Sequence, residues 1–351
     1  MKKLLDSLKK NLYRLPNLRI LDRPKTKTGC IATTKQGNMA FMDEKMFGIS
    51  TAWRSPEILD GDLLIDEMEK TGIPGIELDY RITVQGLEQI KKRLRNSSLR
   101  ILSLHNYCPY PEPLDIQHAS GDGYSLASLD ENERQLAVRY SIRTLQQAHE
   151  LGAIAVVFHL GRVEIDRENE RWFELFKNGH FADEPGRHFF ETKLQERKRA
   201  QPAHFKALLQ SLEELNREAE KLSLWIGIEN RYYYDQLPNY QEIGDLLDHF
   251  AGGRLRYWHD TGHAQTAETF GLARHEQFLQ RYGHQLIGIH LHDAQTIGYN
   301  DHFAPGSGMI DFHVIQRYLP DQAIRIIEAH PKVSLDELKQ GVTFLKETGI
   351  I

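Results

Sequence analysis

The chain has 351 residues, 40% of them apolar and 26% charged, with a net charge of −5 at neutral pH. No stretch approaches the roughly 18 consecutive apolar residues of a membrane-spanning helix, so a membrane partner is not expected. Residues 1–45 carry 11 Lys and Arg against 4 Asp and Glu, giving +7, which leaves −12 for residues 46–351. Because nucleic-acid-binding surfaces are basic, this acidic body argues against a nucleic-acid partner.

The cysteine content indicates the redox setting. The two cysteines, Cys30 and Cys108, are far apart and form no CxxC motif, so neither a disulfide framework nor a cysteine zinc site is expected. The lysines near the N-terminus are not followed by the apolar stretch of a secretory signal. These features favour a reducing, cytoplasmic location.

Eight short runs rich in β-branched residues alternate with amphipathic segments along the chain. In the segments 132–151 and 204–222, for example, apolar residues recur every three or four positions, which is typical of helices. A strand followed by a helix, repeated eight times, predicts an α/β protein with a (β/α)8 TIM barrel. The predicted strands are 46–50, 75–79, 99–105, 153–159, 224–229, 255–260, 286–292 and 323–328.

Three segments stand outside this repeat. Residues 1–45 form a predicted basic N-terminal extension, and residues 46–351 form the barrel. Long connections follow the third strand, at 106–131, and the fourth strand, at about 160–203; the second is charged and aromatic. Loops after barrel strands lie on the active-site face, so the 160–203 insertion is interpreted either as a lid or as a packing addition.

The third to eighth predicted strands each end in a side chain that commonly binds metals, where a buried strand would ordinarily end in an apolar residue or a turn former. Barrel geometry brings these strand ends to one rim. Buried carboxylates there need compensating charge, which a divalent cation supplies. Imidazole combined with carboxylate suits Zn, Mn, Fe or Co better than Ca. The residues are His105, His159, Glu229, Asp260, His290 with His292, and Glu328.

Several of these residues have a structural alternative. A lone histidine at a strand end, such as His105 or His159, is more often a hydrogen-bonding or substrate-contacting residue than a metal ligand. Asp260 precedes the start of a predicted helix and is as well suited to cap that helix as to bind a cation.

The remaining residues are more specific. Glu229 and Glu328 each follow an apolar run, where an exposed, salt-bridging glutamate is not expected, so ligation is favoured. His290 and His292 share one face of their strand because side chains alternate with a period of two. One of these histidines can therefore bind a metal while the other contacts substrate.

The motifs ENR, DTGHA, IHLHD, DHFAPGSGMIDF and IIEAH, in this order, resemble the xylose isomerase-like TIM-barrel superfamily over roughly residues 46–335. That superfamily contains sugar isomerases and epimerases, and also the endonuclease IV type of apurinic-site endonuclease. The resemblance is a strong indication of fold and a weaker one of function, because one metal cradle serves several chemistries.

The sugar-epimerase branch implies one set of site residues. In that branch a single divalent metal is held by Glu, Asp, His and Glu from four late strands. His292 could replace His290 in this set, and His263 of the DxxH motif corresponds to a substrate-contacting residue. The resemblance assigns the metal to Glu229, Asp260, His290 and Glu328.

The endonuclease branch implies a wider set that binds three zinc ions. His105, His159 and His263 resemble its additional ligands. Asp301 and His302 lie where that branch has a DxH pair, but here the two residues are adjacent, so the spacing is lost. This departure argues against a complete three-zinc site.

The first functional hypothesis is a metal-dependent sugar or sugar phosphate isomerase or epimerase of carbohydrate metabolism. In this mechanism Glu229 and Glu328 exchange protons on opposite faces of a carbon while the metal stabilises an enediolate. Arg231 and the tyrosines at 232–234 would bind substrate hydroxyls or simply pack in their loop. The expected partner is a small carbohydrate. The expected cofactor is Zn, Mn, Co or Fe, in one or more ions, and the sequence is compatible with a homo-oligomer.

Two alternatives have other functions. The first is a multi-metal zinc hydrolase of the endonuclease IV type that cleaves a small or nucleic-acid phosphodiester. The second is a barrel that binds metal without catalysis, because fold does not dictate activity.

Overall fold

The computed structural model describes residues 46–181, 183–295 and 300–351. Eight parallel strands pair in chain order, and the last pairs with the first to close the barrel. The predicted (β/α)8 barrel is therefore confirmed, while the predicted extension 1–45 lies outside the described residues. The strands are β1 (Phe47–Ser50), β2 (Gly75–Leu78), β3 (Arg100–His105), β4 (Ala155–Phe158), β5 (Trp225–Glu229), β6 (Leu255–Asp260), β7 (Leu286–Leu291) and β8 (Ile324–Ile327).

Helices connect the strands around the outside of the barrel. Most of them begin with a side-chain cap; Asp60, Asp130 and Ser334, for example, each accept a backbone N–H of the first turn. In the described ranges no helix has both the length and the apolar character needed to cross a membrane. The helices are α1 (Gly61–Lys70), α2 (Val84–Leu94), α3 (Glu131–Glu150), α4 (Asn169–Lys177), α5 (Glu184–Leu222), α6 (Tyr240–His249), α7 (Thr261–Thr269), α8 (His275–Tyr282), α9 (Phe312–Gln316) and α10 (Leu335–Glu347).

Side chains alternate along each strand, so residues two positions apart point to the same side. This places the polar residues at the strand ends next to the apolar core of the barrel. Trp258 and Ile326 belong to one buried cluster of strand residues. Two residues further along their chains come Asp260 and Glu328, which therefore point to the same side. Gly288 in β7 permits this packing, since a Cβ built there would lie 2.1 Å from the Trp258 ring. The barrel core thus fixes the strands that carry the carboxylates.

The insertion after β4 differs in part from the prediction. Its second half is continuous with the predicted helix 204–222, so that α5 has 39 residues and runs through Pro202. A proline removes one backbone donor, which argues for a helix end in the sequence, but here the flanking residues remain helical. Trp172 of the insertion packs on Phe270, with ring centroids 4.1 Å apart, beside Tyr234. The insertion is thereby attached to the segments that follow β5 and β6; its role as a lid stays a prediction.

Candidate metal centre

Four predicted ligands meet on the C-terminal rim. Their ligand atoms all lie within 4.8 Å of one another, and all four side chains are buried. Glu229 ends β5 and Asp260 ends β6. His290 lies in β7, and Glu328 directly follows β8. The structure therefore brings together Glu229, Asp260, His290 and Glu328.

His290 stands at the centre of this group. Its Nδ1 lies 2.7 Å from Glu229 Oε1, 3.2 Å from Glu328 Oε2 and 3.6 Å from Asp260 Oδ2. Burial alone would lower the pKa of His290, but the surrounding carboxylates raise it well above its ordinary value. Three buried carboxylates around one imidazole nitrogen require positive charge, and this donor set of imidazole and carboxylate fits a divalent transition-metal ion.

The sequence reasoning missed Glu77, a fully buried residue of β2. Its Oε1 lies 3.1 Å from His290 Nε2, and its Oε2 accepts a hydrogen bond of 2.7 Å from Ser103 Oγ. When Glu77 accepts the Nε2 proton of a neutral His290, the lone pair of Nδ1 is available to a cation bound among the three ligand carboxylates, as is usual for a metal-binding histidine. Glu77 could have been recognised in the sequence as a carboxylate inside the apolar run GIELD.

His292 is engaged differently. Its Nδ1 accepts the backbone N–H of His302 at 2.9 Å, and its Nε2 lies 2.9 Å from Asp260 Oδ2. Ligand atoms of His292, His302 and Glu328 also lie within 4.8 Å of one another. Because Nδ1 of His292 accepts an N–H, a neutral His292 carries its proton on Nε2 and has no lone pair left for a cation. The hydrogen-bond geometry therefore favours His290 over His292 as the ligand.

Asp260 both caps a helix and belongs to the candidate metal group, the two roles that its sequence position suggested. Its Oδ1 accepts the backbone N–H of His263 at 2.6 Å and so caps α7. Burial would raise the pKa of Asp260, but His263 and His292 hold it well below its ordinary value. The same carboxylate therefore starts the helix and stays ionised in the cluster.

A second predicted group adjoins the first and shares Glu229 with it. Ligand atoms of His105, His159 and Glu229 lie within 4.8 Å of one another. His159 Nε2 is 2.9 Å from Glu229 Oε2. His105 Nδ1 is 3.0 Å from the carbonyl oxygen of Asn106, which can only accept, so the His105 proton resides on Nδ1 and Nε2 is left with a lone pair.

Arg231 also contacts Glu229. Its Nη1 donates to Glu229 Oε2 at 3.1 Å, and its Nη2 donates to Asp122 Oδ2 at 3.3 Å. Asp122, from the connection after β3, was not identified from the sequence because its surroundings there contain only turn residues. Neighbouring Gly121 packs directly on the histidines: a Cβ built there would lie 2.7 Å from His159 Nδ1.

The region around Asp122, His159 and Arg231 contains polar atoms that are available to a ligand. Within the described residues, Asp122 Oδ1, His159 Nδ1 and Arg231 Nε are buried and have no hydrogen-bond partner. Since buried polar atoms are ordinarily satisfied, these three suit water or a polar substrate.

The remaining predicted residues line the same rim. His263 Nδ1 lies 3.1 Å from the carbonyl oxygen of Asn230, and the Tyr232 ring lies against the His263 ring, with centroids 4.4 Å apart. Tyr233 and Tyr234 instead pack in the aromatic cluster of the insertion. Of the tyrosine run, only Tyr232 is thus next to a predicted site residue on the rim.

Asp301 and His302 form a pair beside Glu328. His302 Nδ1 is 2.7 Å from Asp301 Oδ1, and His302 Nε2 is 3.5 Å from Glu328 Oε2. Burial opposes protonation, but Asp301 and Glu328 raise the pKa of His302 to about 10. The pair therefore places a positive charge next to Glu328.

A closed parallel barrel with carboxylates and imidazoles gathered on its C-terminal rim defines a TIM-barrel protein with a candidate metal centre. The sequence model of the xylose isomerase-like TIM-barrel family matches residues 65–348. The chain therefore belongs to that family. No curated protein sequence matches it.

Solved structures of similar fold include several proteins named as sugar epimerases. A D-tagatose 3-epimerase-like protein is 17% identical, with a TM-score of 0.61 over 87% of this chain and 97% of its own. The 3-keto-D-glucoside 4-epimerase from E. coli is 16% identical, with a TM-score of 0.60 over 87% and 100%. A D-psicose 3-epimerase is 14% identical, with a TM-score of 0.60 over 87% and 99%. Identities this low show a shared fold alone.

Proposed function

We propose that this protein is a divalent-metal-dependent isomerase or epimerase that acts on a carbohydrate. The observation that carries the proposal is a pair of buried carboxylates, Glu229 and Glu328, whose oxygens lie 2.7 and 3.2 Å from the same imidazole nitrogen of His290. Three structures of similar fold are named as sugar epimerases, which supports a sugar as substrate.

Glu229, Asp260, His290 and Glu328 would hold the cation, and Glu77 would orient His290. A divalent metal bound there would stabilise negative charge on the oxygen of a substrate carbonyl. Zn, Mn, Co and Fe all accept this mixture of imidazole and carboxylate.

Glu229 and Glu328 would move the proton of the carbon beside that carbonyl. One carboxylate removes the proton from one face, and the other returns a proton to the opposite face. The two environments differ, because Arg231 and His159 both contact Glu229 Oε2, whereas His302 lies near Glu328 Oε2. Such differences in surroundings are how proteins assign separate acid and base roles to two carboxylates.

The polar residues around the centre would hold the substrate. Asp122, His159 and Arg231 offer one acceptor and two ring or guanidinium nitrogens without protein partners. His263 and Tyr232 provide a further imidazole and an aromatic face. This mixture of acceptors, donors and a ring suits a polyhydroxylated molecule.

Glu77→Gln tests the support of His290. We expect the affinity for Mn²⁺ to fall about 10- to 100-fold, because an amide cannot fix the imidazole tautomer as a carboxylate does. Isothermal titration of the metal-free protein measures the change. Glu69→Gln, at the end of α1, is the matched control and should bind Mn²⁺ like the wild type. Equal affinities for the wild type and Glu77→Gln would show that Glu77 does not support the metal site.

The activity is tested by incubating the metal-loaded protein with a panel of free ketoses, aldoses, their phosphates and keto-glycosides, followed by chromatography of the products. Bis(p-nitrophenyl) phosphate serves as the phosphodiester probe. We expect interconversion of a sugar that depends on added metal, with no phosphodiester cleavage. Phosphodiester cleavage without any sugar interconversion would overturn the proposal.

A multi-metal hydrolase is the second candidate function. The specific observation in its favour is the group of His105, His159 and Glu229, which could hold a second ion and share Glu229 with the first. The adjacency of Asp301 and His302, and the ion pair between them, weigh against a complete three-metal site.

A further inference from the structure

We propose that Arg231 takes the place of a second metal ion and limits the centre to a single divalent cation. The inference rests on the proposed function, since it assumes that the four-residue group binds a metal. It concerns the adjacent group of His105, His159 and Glu229, whose ligand atoms are close enough for a second ion.

The adjacent group has most features of a metal site. The proton of His105 is fixed on Nδ1 by the Asn106 carbonyl, so its Nε2 is available to a cation. His159 Nε2 faces the shared carboxylate, 2.9 Å from Glu229 Oε2. On these features alone, a second ion bridged to the first by Glu229 would be expected.

The two oxygens of Glu229 face different partners. Oε1 lies 2.7 Å from Nδ1 of His290, within the four-residue group. Oε2 lies 2.9 Å from His159 Nε2 and also accepts the hydrogen bond from Arg231 Nη1 at 3.1 Å. The guanidinium therefore uses the carboxylate oxygen that a second ion would need.

Arg231 is held firmly in this position. Its side chain is 3% exposed, and its second nitrogen is paired with Asp122. A guanidinium stays protonated in proteins, so Arg231 carries a positive charge here. A fixed positive charge in a buried site repels a further cation strongly, because the effective dielectric constant there is low.

Arg231 also occupies the side of Glu229 that a second ion would use. Its guanidinium lies between Asp122 and Glu229, so Glu229 Oε2 already has a cationic partner. A second divalent ion bound to this oxygen would require Arg231 to leave the site.

Metal counting tests the inference. The wild type and two variants, Arg231→Gln and Arg231→Lys, are titrated with Mn²⁺ and examined by elemental analysis and electron paramagnetic resonance. We expect one tightly bound Mn²⁺ in the wild type and in Arg231→Lys, which keeps the charge. Arg231→Gln should bind two and show a spin-coupled spectrum. Adding His159→Asn to Arg231→Gln should return the count to one.

Two tightly bound ions in the wild type, or a single ion in Arg231→Gln, would overturn the inference. Failure of the proposed metal centre is distinguishable, because none of these proteins would then bind even one Mn²⁺. If Arg231→Gln does not fold, Asp122→Asn replaces it. Loosening the anchor of Arg231 should strengthen binding of the second Mn²⁺ at least tenfold, and unchanged weak binding would contradict the inference.

Discussion

Replacing Glu328 by Gln is expected to lower kcat about 10²- to 10⁴-fold, the usual contribution of a general acid or base. The side chain is buried, and its Oε2 lies 3.2 Å from His290 Nδ1. Glutamine keeps the shape of glutamate but cannot accept the substrate proton. Steady-state kinetics with the interconverted sugar measure the effect.

The fold of the Glu328→Gln variant should persist, because the barrel core beneath the rim is unchanged. Glu88→Gln, on the exposed side of α2, is the matched control and should have wild-type kcat and melting temperature. A Glu328→Gln variant with kcat within a factor of three of the wild type would exclude Glu328 from the proton transfer.

Removal of divalent cations by a chelator is expected to reduce activity at least about 100-fold, since a bound metal contributes several kcal/mol to charge stabilisation in the transition state. Added Mn²⁺, Co²⁺, Fe²⁺ or Zn²⁺ should restore activity, whereas Ca²⁺ should not, because it prefers oxygen ligands alone. Activity before and after dialysis, and after each addition, gives the result.

The same dialysis should also affect stability. A metal present at 100 times its Kd adds about 2.7 kcal/mol to the free energy of unfolding when it binds the folded state alone. The metal-free protein should therefore melt at a lower temperature than the loaded protein. Unchanged activity and unchanged melting temperature after complete removal of metal would contradict a metal-dependent mechanism.

The barrel could be predicted because each strand is a short β-branched run followed by a segment with helical periodicity. This alternation can be recognised from the local sequence alone, without knowledge of tertiary contacts. Polar residues at the ends of apolar strands indicated a candidate metal site on one rim, and the resemblance to the xylose isomerase-like superfamily selected the four-residue group from them. The choice between His290 and His292 could not be made, because a period of two places both on one face. Hydrogen bonds from His302 and to Glu77 distinguish them in three dimensions.

Two residues escaped sequence reasoning for different physical reasons. Glu77 lies in mid-strand, and its role depends on a pairing with His290 across 213 residues of sequence. Asp122 lies in an irregular connection, where no period relates a side chain to the barrel interior. The helical segment predicted at 204–222 covers only the C-terminal half of α5, which begins at Glu184.

The most direct test of the proposed function is the reaction of the metal-loaded protein with the interconverted sugar in deuterium oxide, followed by NMR of the product. Proton transfer by Glu229 and Glu328 predicts that the product carries deuterium on the carbon next to the carbonyl group, because a carboxyl proton exchanges with solvent. The Glu328→Gln variant should incorporate deuterium far more slowly. Product formed at the wild-type rate without any deuterium would contradict the proposed proton transfer.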